Sequence, residues 1–253
     1  MGNLFRGVVA VAFAGSFVTA LPGATITFSR GGVTCPAANS GLCTAVAGAT
    51  TITFDELSSA TDAPYQAGIA TFTWTGASPF VQGSAEGLYA APTLNALLDT
   101  TTYLTVGSGG SMPNTVTISF SKPISYFGFY LGSPDTYNQI SFFDEGVLIK
   151  SFTGDQLINP GNGSQTLADY VNFYSHGAVI TRIVMTSLTP AFENDSHSYQ
   201  EAPEPATGAL AAGFAAFLLC WAAWRRRTTP VALASRLRRR AEESSRAIRI
   251  GLF

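Results

Sequence analysis

The chain has 253 residues, 46% hydrophobic and only 12% charged, with 25 glycines, a balance that suits an exported β-protein better than a cytosolic enzyme. Between residues 25 and 205 the basic residues are Arg30, Lys122, Lys150 and Arg182, against fourteen carboxylates, a net charge of −10. A phosphate backbone repels such a segment, which excludes nucleic acid as a partner.

Residues 1–24 read as a secretory signal peptide. Arg6 supplies a positive start, residues 7–18 are apolar, and Val18-Thr19-Ala20 or Pro22-Gly23-Ala24 fits a signal-peptidase site. Cys35 and Cys43 follow, with seven residues between them in a glycine-containing stretch. In an oxidising compartment they are expected to form a disulfide. Cys220 lies in a later apolar run and cannot join them. With only His176 and His197 in the chain, both in polar stretches that read as loops, a zinc site is not expected.

Residues 25–200 read as β-structure almost throughout. TTITFDEL opens the series. IATFTWTG alternates Ala70, Phe72 and Trp74 with Thr71, Thr73 and Thr75, the period-two pattern of a half-buried strand. NTVTISFSKP repeats it with Val116, Ile118 and Phe120 inward. ISYFGFYLGS is apolar on both faces, as a central strand covered on both sides would be. NQISFFDEGVLIKSFTG reads as a hairpin turning at Asp144-Glu145-Gly146, and YVNFYS and ITRIVMTSL add two strands. No long helical period precedes residue 206. The fold expected is all-β: an antiparallel β-sandwich of jelly-roll type. The glycine-rich residues 107–114 lack the lysine and following helix of a phosphate loop.

Residues 206–224 carry no charge, are long enough to cross a bilayer as one helix, and end with Trp221 and Trp224. Arg225, Arg226 and Arg227 follow and would hold that end in the cytoplasm. Upstream, Pro203, Glu204 and Pro205 keep the backbone extended and prevent the helix from running through them. This arrangement over residues 201–227 resembles the PEP-CTERM sorting signal. The resemblance implies processing by an exosortase and display at, or release from, the surface of a Gram-negative bacterium that makes exopolysaccharide. Such tails usually stop soon after the basic cluster, whereas here residues 228–253 continue as a basic extension expected to be cytoplasmic.

Residues 50–200 also resemble a group of exosortase-dependent surface proteins without an established activity. The residues that carry the likeness are Ile124 to Tyr130 with Gly132-Ser133, then Asp135, Tyr137 and Asn138. Phe142-Phe143-Asp144, Phe152-Thr153-Gly154 and Ala191-Phe192-Glu193 with Asp195 add to it. In relatives the last motif ends in Asn, and here Ser196 takes that place.

Several sites are weighed on chemistry. Asp135, Asn138 and Asp144 are the candidate ligands for a structural calcium, with Glu145, Glu193 and Asp195 further oxygen donors in expected turns. The competing explanation is that Asp and Asn simply favour turns. Trp74, Tyr126, Tyr130 and Tyr137 are candidates for a sugar-stacking face, against their more usual use in packing. Ser164, Asp169 and His176 hold the residue types of a hydrolytic triad without a nucleophile elbow, and no pattern selects a pair of carboxylates, so no catalytic residues are expected. The threonine rows are too short for an ice-binding lattice. The sequence is therefore read as a non-catalytic surface or matrix protein. A carbohydrate-binding module for exopolysaccharide is the alternative, and exposure of the candidate aromatic residues discriminates the two.

Overall fold

The computed structural model describes residues 23–37, 40–94, 97–107, 112–204, 218–221, 238–243 and 245–246. The chain divides into two compact units, residues 1–202 and 203–253. Twelve strands among the described residues make up one hydrogen-bonded network in the first unit. They are β1 (Thr25–Arg30), β2 (Thr50–Ile52), β3 (Tyr65–Ala67), β4 (Ala70–Trp74), β5 (Phe80–Gln82) and β6 (Thr102–Val106). After them come β7 (Thr115–Leu131), β8 (Asn138–Asp144), β9 (Val147–Thr153), β10 (Asp169–His176), β11 (Ile180–Ser187) and β12 (Phe192–Glu201). All their pairings are antiparallel.

β7 is shared by two layers. Its first half pairs with β11 on one side and β4 on the other, and β8, β9 and β3 extend that layer. Its second half pairs with β10 and β12, which β1, β2, β6 and β5 extend. The inner faces meet in one aromatic core: Phe142 of β8 lies 4.7 Å from Phe173 of β10, and Phe28 of β1 lies 5.4 Å from Phe152 of β9. The architecture is an antiparallel β-sandwich, as the strand patterns predict.

Local patterns explain the elements. In β4, Ala70 and Phe72 are buried and Thr73 is exposed; in β7, Val116, Ile118 and Phe120 point inward. The hairpin between β8 and β9 turns at Glu145 and Gly146, whose φ angles of 45° and 90° suit a two-residue loop between twisted strands. The second half of β7 is buried on both faces. Phe127, Phe129 and Leu131 enter the core, and the opposite face is covered by residues 31–37 and 40–49.

β12 departs from expectation. Glu193 and Asp195 were expected in turns, yet they lie in a strand whose residues 192–199 are all buried. The register of β12 on β7 shifts between the pairs Gly128↔Ser198 and Tyr130↔Asp195, and Ser196 there has φ 51°. That left-handed region is one that Asn or Gly tolerates better than Ser does.

In the second unit, Pro203 and Glu204 are exposed and outside regular structure, and residues 218–221, 238–243 and 245–246 are helical and exposed. Pro205, Arg225, Arg226, Arg227 and most of the expected span 206–224 lie outside the described residues, as does the expected signal helix up to residue 22. No helix among the described residues is long and apolar enough to cross a membrane.

Cys35 and Cys43 are joined by a disulfide. The closed loop lies against Ser196, whose hydroxyl is 3.5 and 3.7 Å from the two sulfurs, and its Gly41 (φ 66°) packs where any Cβ would strike the Tyr130 ring. Closing a loop this short stabilises by about 2–3 kcal/mol in the chain-entropy picture. Reduction, or a Cys35→Ser/Cys43→Ser double variant, is expected to lower the urea midpoint accordingly. A midpoint unmoved by reduction would show that the bridge does not stabilise the fold.

Candidate functional site

Among the described residues the sandwich carries an open cleft of about 530 Å³. Four segments form it: residues 84–90, 133–137, 162–165 and 190–193. The first and third are loops, the second joins β7 to β8, and the fourth leads into β12, so the strands fix its floor while loops form its rim.

Glu193 anchors the floor. It is 2% exposed and accepts hydrogen bonds from the Ala90 N–H at 2.9 Å and the Ser133 hydroxyl at 2.7 Å. Burial pushes its carboxyl pKa up, those two bonds oppose the rise, and the charge of Asp135 adds to it. Asp135 is half-buried on the rim. Burial raises its pKa too, against a hydrogen bond from the Tyr137 hydroxyl at 2.8 Å. That hydroxyl also lies 2.9 Å from the Pro190 carbonyl.

Three carboxyl groups line the cleft, those of Glu86, Asp135 and Glu193. Both Glu193 oxygens are engaged with the protein, which leaves Asp135 and the exposed Glu86 as the carboxyls open to a ligand. What the cleft offers is a set of hydrogen-bonding groups, chiefly Asp135, Tyr137 and Gln165, suited to a hydroxyl-rich ligand. The loop residues 84–90 and Gln165 carry no pattern that sequence reasoning could have assigned to a site.

The expected aromatic platform is not assembled. Tyr126 and Tyr130 are 2% and 0% exposed because residues 31–37 and 40–49 cover the outer face of β7, so neither can stack on a sugar. Trp74 is half-buried, edge-on to Phe80 at 5.5 Å, and borders a smaller cleft with residues 59–63 and 76–78. Tyr137 alone reaches the main cleft.

The calcium set Asp135, Asn138 and Asp144 does not converge either. Asn138 and Asp144 are the two ends of β8, about 20 Å apart along an extended strand. Asn138 is 0% exposed, and its carboxamide is held by the Ser187 hydroxyl at 3.0 Å and the Ser133 carbonyl at 3.3 Å. Among the described residues no group of three or more His, Cys, Asp or Glu side chains is placed to hold a metal. Asp169 and His176 likewise stand at opposite ends of β10, and His176 is exposed beside the Thr27 hydroxyl at 2.8 Å. No protein-family model matches this chain, and no curated protein matches it either.

His197 corrects the reading of both histidines as loop residues. It is fully buried, its Nε2 lies 2.6 Å from Asn194 Oδ1, and the rings of Phe54, Phe72, Phe127 and Phe129 surround it. Burial lowers its pKa from 6.5 to about 3, so it stays neutral while the unfolded chain protonates. Its contribution to stability is therefore complete above pH 6.5 and is lost as the pH falls towards 3. Relative to His197→Gln, the wild type is expected to lose about 2 kcal/mol between pH 7 and 5, measured by urea denaturation. A difference that stays constant over that range would show that His197 is not held neutral.

Proposed function

We propose that this is an exported, exosortase-processed surface or matrix protein that works by adhesion and carries out no chemistry of its own. In this reading a signal peptide exports the chain and residues 206–224 hold the precursor in the membrane as a helix. The sandwich, of jelly-roll type, is displayed among extracellular polysaccharide of a Gram-negative bacterium.

The observation that carries the reading is the junction after β12. The last strand ends at Glu201, and Pro203-Glu204 follows at once, exposed and without regular structure, where a processing enzyme needs an extended peptide. An acidic domain with an open polar cleft and buried tyrosines supports contacts that are weak singly and strong by repetition. Surface material is expected to lack residues 225–253 by intact mass, and deletion of the protein is expected to weaken biofilm cohesion without slowing growth on soluble nutrients. Mature protein that keeps the arginine tail would refute the sorting. Purified domain that hydrolyses polysaccharide through one replaceable carboxylate would refute the non-catalytic role.

The cleft favours a second reading, a binding module for exopolysaccharide. Here Asp135, Tyr137 and Gln165 would hydrogen-bond sugar hydroxyls. In titrations with the producer's own polysaccharide, Tyr137→Ala is expected to weaken binding at least about tenfold, the loss of one good polar contact plus its ring area. Binding equal to that of the wild type would remove the cleft as the site.

A further inference from the structure

On the outer face of β12, away from the aromatic core, two carboxyl groups are buried without a counter-charge among the described residues. Asp99 is 1% exposed. Its Oδ1 accepts from the Thr101 N–H at 2.8 Å and the Thr101 hydroxyl at 2.6 Å, while its Oδ2 has no partner. Asp195 is 0% exposed, and neither of its oxygens has a well-formed hydrogen bond among the described residues, although the adjacent Ser196 N–H opposes the rise that burial gives its pKa. The two carboxyls lie within hydrogen-bonding reach of each other.

Neighbouring buried side chains add unpartnered polar atoms. Tyr130, the register partner of Asp195 on β7, is 0% exposed with an unpartnered hydroxyl, and the charges of Asp99 and Asp195 both act on it. Ser40, buried in the disulfide loop beside Gly41, has an unpartnered hydroxyl as well, and Gly41 rests on the Tyr130 ring. Exposed Asp55 adds a third carboxylate in electrostatic range of both aspartates.

The basic residues between 25 and 205 are placed elsewhere. Lys122 pairs with Glu201 at 2.9 Å, Lys150 and Arg182 lie over the rings of Phe152 and Phe143, and Arg30 is exposed at the end of β1. Two facing carboxylates in a dry site cannot both keep their charge without something positive between them.

We propose that Asp99 and Asp195, with the Tyr130 hydroxyl beside them, bind a hard divalent cation of the calcium class. A shared proton joins two oxygens and leaves the rest of the set unmatched. Calcium takes about six to eight oxygens in flexible geometry, and main-chain carbonyls and water complete what two carboxylates and a hydroxyl begin. Magnesium demands a stricter octahedron and keeps more of its water, so it fits a dry, irregular site less well. The site is distinct from residues 135, 138 and 144. It ties the segment carrying Asp99 to strands β7 and β12, beneath the disulfide loop, so the ion would lock the covers of the outer face onto the sheet.

The test is a calcium titration of the purified full chain after stripping with EGTA, followed by calorimetry and thermal unfolding. One calcium per chain is expected, with the melting temperature raised by about 5–10 °C at a calcium concentration one hundred times Kd. Asp99→Asn and Asp195→Asn, each checked for native circular dichroism, are expected to weaken calcium binding at least tenfold. If Asp195→Asn does not fold, Asp99→Asn and the wild-type stoichiometry decide the matter. A wild-type chain that takes up no calcium overturns the proposal, as does uptake that neither substitution weakens.

Discussion

Membership of β7 in both layers is the constraint on which the rest of the sandwich depends. Its partners change between Ser119 and Ile124, where the register on β11 shifts and Pro123 interrupts the ladder. Proline has no N–H to give a neighbouring strand, so it belongs where a strand leaves one sheet for another. The backbone there is satisfied locally, with the Ser121 N–H bonded to the Ile69 carbonyl and the Pro123 carbonyl accepting from Ala202. The exposed Lys122–Glu201 pair at this bend adds little by itself, because surface ion pairs are screened. What fixes the angle is burial: Phe120 before the bend and Phe127 after it pack edge to face at 6.4 Å within one core.

Once β7 is bent, its second half has an outer face that must be covered. Tyrosine suits that face, since its ring buries apolar area while its hydroxyl needs only one polar partner. Tyr126 bonds to Thr44 at 2.7 Å and to Asn172 at 2.8 Å, and Tyr170 donates to the Ser196 carbonyl at 3.0 Å. Residues 31–37 and 40–49 supply much of that cover, held in place by the disulfide. A second cover comes from residues near 81–91, where Val81, Ala91 and Tyr103 form a small cluster apart from the main core. The polar cleft opens along the edge of this second cover, so its geometry is a by-product of how the sheet is closed off from water.

How much of this was legible follows from which contacts are local. The alternation in β4, the two-faced burial of Phe127 to Leu131 and the turn at Glu145-Gly146 depend on a strand and its immediate neighbours, and periodicity carries them. Tyr126 and Tyr130 show the limit. Their pattern marks an outward face, but whether water or another segment meets that face depends on chain some eighty residues away. β12 shows it more sharply. FENDSHSYQE has the composition of a loop, yet it lies between β7 on one side and β2 and β6 on the other. A polar sequence is tolerated there because partners distant in sequence meet its groups, as Ser133 meets Glu193 and Thr51 meets Ser198.

The buried ionisable groups of β12 also pull stability in opposite directions with pH. His197, on the core side, is neutral when folded, so acidification below its ordinary pKa of 6.5 favours the unfolded chain. Asp195 and Glu193, on the other face, have carboxyl pKa values raised by burial. Their penalty is absent below the usual carboxylate range and grows as the pH rises through it towards their folded values. No pH therefore frees the strand of a burial penalty relative to the unfolded chain: the histidine's grows below 6.5 and the carboxylates' grows above their ordinary range. Above neutrality the histidine is satisfied and the carboxylates carry the strain, and a positive ion between Asp99 and Asp195 relieves that strain without disturbing the aromatic cage around His197. The bulge at Ser196 makes this separation possible: residues 193, 195 and 197 would share one face of a regular strand, and the register shift between Asp195 and Ser198 turns His197 to the core while the acids stay toward the covers.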